Sequence, residues 1–152
     1  MSDNPSARQK LFIPSLAGFY ALVAPLGWPL VRFGCGWLLV VHGWGKWVRG
    51  MEGQAEVLAK SGFAWGVGFA WFLFIVEFVG GIAIIAGLTT RFWAAAVAIE
   101  MGVLTFYQYW SSGFSWLNRG YEFTLLWGII CLAIAFRGGA EYSLDRALGR
   151  EL

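Results

Sequence analysis

The stretch AWGVGFAWFLFIVEFVGGIAIIAGL, residues 64–88, decides the fold. It carries a single charge, Glu77, and exceeds the roughly 20 apolar residues that cross the hydrocarbon core of a bilayer, so it is long enough to span with tilt. On its C-terminal side Thr89, Thr90 and Arg91 make a turn before a third span at about 92–110, and the two spans form a tight hairpin. On its N-terminal side VRGMEGQAEVLAKSGF, residues 48–63, is polar and amphipathic at best, and reads as a surface connection. Before it lies WPLVRFGCGWLLVVHGWGKW, residues 28–47, a first span that ends in a basic and aromatic edge. Beyond the third span, residues 111–120 read as a loop from their Gly, Ser and Asn content. YEFTLLWGIICLAIAF, residues 121–136, is then a fourth span, followed by a polar tail over 137–152.

The expected fold is therefore all-α, an integral membrane four-helix bundle over residues 28–136, between a polar, proline-broken start at 1–27 and the tail at 137–152. Residues 13–27, interrupted by Pro14 and Pro25, form either a separate interfacial helix or an extension of the first span with a kink. The start lacks the positive, unbroken apolar pattern of a cleaved signal, so the first helix is expected to be retained.

Composition agrees. The 152 residues leave room for one domain. They are 59% hydrophobic and 13% charged, with mean hydropathy +0.63, against about 45–50% and about 25% for an ordinary soluble domain. Ten Trp, thirteen Phe and five Tyr suit aromatic anchoring at both interfaces. A formal charge of +2 with no basic run gives no nucleic-acid signature. The single histidine, His42, excludes a bis-histidine haem within one chain. The widely separated Cys35 and Cys131 provide neither the close-spaced ligands of a zinc site nor a C-x-x-C pair, and read as small buried hydrophobes. No metal site is expected.

Four spans put both termini on one face, the N side. Arg8, Lys10, Arg91, Arg137, Arg146 and Arg150 lie there, against Lys46, Arg49, Lys60 and Arg119 on the far side, which favours a cytoplasmic N side.

Charges inside the apolar segments are the informative residues, because each costs about 2.5–3.5 kcal/mol or more at the bilayer centre. With the helical rise, Glu77 and Glu100 both fall about 15 Å from the N side, near the midplane. Arg32 is shallower on the same half and is expected to pair with one of them, although helix direction aims its side chain toward the N side. These three make an inner polar layer. On the far half His42 and Lys46 share a helix face and should share a layer with Glu122. Around them Trp44, Tyr107, Gln108, Trp110 and Tyr121 are candidates for lining a flat, partly polar pocket. A quinone head group, with a stacking face and two carbonyl oxygens, matches such a pocket, and His42 is the natural proton switch near neutral pH. The bland readings stand beside these. Aromatic edges occur in membrane proteins of every function, Lys46 and Glu122 could snorkel, Arg32 with Glu77 could be a structural pair, and Gly34, Gly36, Gly80, Gly81 and Gly87 permit close helix approach.

In sequence order the chain holds His42-Gly43-x-x-Lys46, Glu77 leading into Gly80-Gly81, a Gly87-Leu88-x-Thr90-Arg91 turn, Glu122, and Gly138-Gly139-x-x-Tyr142-Ser143-Leu144-Asp145. This order resembles the DoxX family across about residues 28–146. The resemblance implies a small four-helix protein of a bacterial inner membrane, associated with redox systems, and marks Arg32, His42, Lys46, Glu77 and Glu122 as matching positions. The leading expectation is a redox-linked membrane subunit that binds a quinone and works with partner proteins or a second copy of itself. His42, Lys46 and Glu122 would act on the ligand. A non-catalytic scaffold or assembly subunit is the alternative, and a solute transporter is less attractive because no inverted repeat is visible.

Overall fold

The computed structural model describes residues 11–151, so the polar start with Arg8 and Lys10 lies outside the described residues, as does Leu152. Every regular element among the described residues is helical. Apart from short 3₁₀ turns at Pro14–Leu16, Trp110–Ser112 and Trp116–Asn118, these are in chain order α1 (Ala17–Arg49), α2 (Met51–Lys60), α3 (Gly66–Phe74), a π turn (Ile75–Val79), α4 (Gly80–Ala86), α5 (Thr90–Val103), a second π turn (Leu104–Tyr109), α6 (Glu122–Arg137) and α7 (Leu144–Leu148).

Among the described residues two helices are long and apolar enough to cross a membrane: Pro14–Arg49 and the unbroken rod Gly66–Ala86. At about 1.5 Å per residue the latter measures about 31 Å, close to a hydrocarbon core of about 30 Å. Of the two expectations for residues 13–27, the structure has the extension. After a short 3₁₀ turn at Pro14–Leu16, α1 runs through Pro25 and Pro29 without a break, so no separate interfacial helix forms. Residues 48–63 are also more than a surface connection, because they hold α2, whose Met51 and Gln54 are buried.

Two antiparallel pairs build the core. In the first, α1 crosses α4 on small residues: a Cβ on Gly36 would lie 2.5 Å from the Gly81 carbonyl oxygen, and one on Gly43 would lie 2.8 Å from the Phe78 amide nitrogen. Backbones approach this closely only where side chains are absent. In the second, α5 lies along α6. The Thr105 hydroxyl meets Thr124 at 2.9 Å near one end, and Arg91 reaches the Ala135, Phe136 and Arg137 carbonyls at the other. Leu39, Ile84, Val97, Cys131 and Ile134 are buried between the pairs. Phe33, Trp37, Phe72, Ile82, Ile99, Ile129 and Phe136 point outward and are exposed, an apolar exterior suited to lipid.

The tail is a structural cap. Gly87, in the left-handed region at φ 70°, ends α4, and its carbonyl accepts from the Asp145 amide at 2.8 Å. The Asp145 carboxylate accepts from the Thr89 amide at 2.7 Å and from the Thr90 amide and hydroxyl at 2.9 and 2.7 Å. It thereby satisfies donors that a helix start leaves orphaned. Trp28 Nε1 donates to the Gly138 carbonyl at 2.9 Å, and the Glu151 carboxylate bridges the Gly139 amide and Arg91.

Candidate functional site

Arg32 does not pair with Glu77 or Glu100. It is buried and donates from Nη2 to the Tyr142 carbonyl at 2.7 Å, with Asp145 close enough to interact with its charge. The side chain follows the helix direction toward the start of α1, and the folded tail supplies carbonyls there.

Lys46 takes the place expected for Arg32. Its ammonium forms an ion pair with the Glu77 carboxylate, the two side chains being 13% and 5% exposed. The antiparallel crossing produces this contact. Each side chain leans toward the N-terminus of its own helix, and since the helices run in opposite directions, Lys46 and Glu77 lean toward each other. Glu100, on α5, lies beside both. Glu77 and Glu100, expected at one depth, are neighbours in space, and Lys46 joins them. The Glu100 Oε2 atom is buried without a hydrogen-bond partner. Glu77 sits within the first π turn, a kind of helical irregularity frequent at functional sites.

This cluster borders an apolar groove of about 570 Å³ between the Gly66–Ala86 rod and α5. Its walls include Phe69, Phe72, Val76, Trp93, Ala96 and Val103, and Glu100 is the one ionisable residue on the lining. The volume falls in the range of small-molecule sites, roughly 300–1,000 Å³, and apolar walls with few polar groups are their usual character. On its other side the cluster meets a smaller polar cavity of about 230 Å³, lined by Val41, His42, Gly45, Lys46, Arg49 and Gln54.

Apart from His42, which lines that cavity beside Lys46, the remaining expected site residues are dispersed. His42 is exposed and meets the edge of Trp127 with ring centroids 5.4 Å apart. Glu122 accepts from the Trp116 amide at 3.3 Å and closes the loop before α6, so it does not face His42 and Lys46. Trp44 tilts against Phe78, Tyr107 packs on Phe63, and Trp110 stacks on Tyr121 with centroids 4.6 Å apart. With Gln108 half-buried on the second π turn, none of these five residues lines the groove or the polar cavity. These contacts are local ring pairs, and Trp44, Tyr107 and Trp110 stay exposed, so the five residues are not gathered around either cavity.

Sequence reasoning also missed the cysteines. Cys35 on α1 and Cys131 on α6 bring their sulfurs to 3.3 Å, and Trp127 Nε1 donates to the Cys35 sulfur at 3.1 Å. Their separation in sequence hid this proximity. The apolar groove had one legible signal, the ionisable Glu100 without an assigned partner. No group of three or more His, Cys, Asp or Glu side chains able to hold a metal occurs among the described residues.

An apolar exterior, small-residue helix crossings and a charged cluster set among apolar helices define a small helical membrane protein. The DoxX family profile matches residues 27–110, more than half of the chain, and the chain belongs to the DoxX family. That match covers Arg32, His42, Lys46, Glu77 and Glu100 and ends before Glu122 and the tail. No curated protein and no solved structure matches the chain.

Proposed function

We propose that this DoxX protein is a four-helix integral membrane subunit of a redox system, and that it binds a quinone or a similar flat lipophile in the groove above Glu100. The observation that carries this reading is the groove itself: apolar walls open toward the lipid-facing exterior, with a single carboxyl whose Oε2 has no partner. A quinol hydroxyl or a quinone carbonyl would pair with the Glu100 carboxyl on the lining, as donor to a carboxylate or acceptor from a carboxylic acid. Trp65, Phe69 and Trp93 supply stacking faces. The ligand position thus moves from the aromatic edge to the groove. His42 and Lys46 stay in the reading as protonatable groups on the aqueous side, while Glu122 serves the loop. The chain offers no electron carrier of its own, so electrons would come from a partner subunit. The proposed setting is a bacterial inner membrane with both termini cytoplasmic, following the basic-residue bias of the sequence.

The test is a titration of the protein in lipid nanodiscs with a short-chain quinone, read as quenching of the tryptophan emission, to which Trp65 and Trp93 on the groove contribute. Saturable quenching is expected, and Ala96→Trp, which fills the groove, should weaken it at least tenfold. Linear, unsaturable quenching, or saturation unchanged by Ala96→Trp, would refute the groove as a quinone site. Those results would favour the scaffold reading.

A further inference from the structure

We infer that Lys46, Glu77 and Glu100 form a proton path joining the polar cavity beside His42 to the apolar groove. The proposed function is needed only to name the acceptor at the groove end. The three groups are in series across three rods: Lys46 on α1 is paired with Glu77 on the first π turn, and Glu77 lies beside Glu100 on α5. The ends of the series open to different places. Lys46 lines the polar cavity with His42, Arg49 and Gln54, and Glu100 lines the groove.

A structural ion pair would be complete with Lys46 and Glu77 alone. Glu100 adds a second carboxyl to one ammonium, in an apolar setting, with an oxygen that no protein donor satisfies. One proton shared between the two carboxyls leaves the cluster neutral, and the position of that proton is what can change. The ionisable groups that interact with Glu100 are Glu77 from the π turn, Lys46 from α1 and the Cys131 thiol from α6. In the forward direction Glu100 first gives its proton to a basic oxygen of the molecule in the groove, an O–H bond breaking at Glu100 as one forms there. The Glu100 carboxylate is then reprotonated through Glu77: an N–H bond breaks at Lys46 as an O–H bond forms at Glu77, and that O–H bond breaks as one forms at Glu100. A hydronium ion in the cavity restores the Lys46 ammonium and leaves as water, so the ammonium again offsets the Glu77 carboxylate. The reverse sequence removes a proton from a hydroxyl in the groove.

The path is testable without ligand, by infrared spectroscopy of the protein in lipid nanodiscs during exchange from H₂O into D₂O. A protonated-carboxyl C=O band is expected that disappears in Glu100→Gln. Its shift on deuteration should slow at least tenfold in Glu77→Gln. Gly45→Leu should slow it similarly, because Gly45 lines the polar cavity and a Cβ there meets no atom within 4 Å, so the added side chain starts in open space. A band unaffected by Glu100→Gln, or an exchange rate unchanged in folded Gly45→Leu, would overturn the path. Ala96→Trp should abolish quinone binding and leave the exchange rate as it was. Loss of the exchange effects with quinone binding intact refutes the path alone, and the converse result refutes only the quinone reading.

Discussion

Replacing Asp145 by alanine should unlock the N-side end of the molecule. Its carboxylate is buried and accepts three hydrogen bonds, from the Thr89 and Thr90 amides and the Thr90 hydroxyl, at 2.7 to 2.9 Å. Removing it orphans two amides at the start of α5 and deprives the buried Arg32 of a nearby anion. Loss of a helix cap costs about 0.5–2 kcal/mol, and a hydrogen bond to a charged group contributes about 1.5–3 kcal/mol. We take a total of about 3 kcal/mol, near one charged bond plus one cap. For a chain of this size about 1 kcal/mol corresponds to about 2–4 °C, which makes the expected drop in Tm about 6–12 °C. The assay is thermal unfolding in mild detergent, followed by near-UV circular dichroism. Asp145→Asn keeps one acceptor oxygen and should lose about half as much. Truncation after Arg137 removes the same carboxylate, so it should destabilise at least as strongly. A Tm for Asp145→Ala within 1 °C of wild type would refute the assignment of the tail as the cap of the α4–α5 hairpin.

The glycines give a contrast within one helix. Gly36→Ala should destabilise by about 1–3 kcal/mol through overpacking, because its Cβ meets the Gly81 carbonyl. Gly34→Ala, with no atom within 4 Å of its Cβ, should stabilise by up to about 1 kcal/mol through helix propensity; the same unfolding assay distinguishes them. Lys46→Met should cost about 3–5 kcal/mol by leaving Glu77 buried without its partner. Adding Glu77→Gln to Lys46→Met should restore most of that loss, and equal instability of the single and double variants would argue against the pair. The cysteine contact predicts that a membrane-permeant oxidant forms an intramolecular Cys35–Cys131 disulfide, read as loss of maleimide labelling in the unfolded chain. Full labelling of both thiols after oxidation would contradict the observed α1–α6 packing.

The sequence by itself determined the class of this protein. Residues 64–88 hold one charge in a run longer than a bilayer is thick, and that alone required a buried or lipid-covered helix. The turn at Thr89–Arg91 and the order of the His42, Glu77 and tail motifs pointed to the family that the profile match establishes. The nearness of Glu77 and Glu100 followed from helical rise, since the hairpin turn between them is short. Tertiary structure alone decided who meets whom. Arg32 finds carbonyls in a tail more than a hundred residues away, Lys46 finds Glu77, and Cys35 finds Cys131. Composition also concealed how α2 packs and which aromatic rings pair. In a chain this apolar, nearly every helix face is hydrophobic, so periodicity does not mark the inward side. Partner choice then rests on side-chain direction and on where glycines let two backbones touch, and both acquire meaning only when the helices are placed against one another.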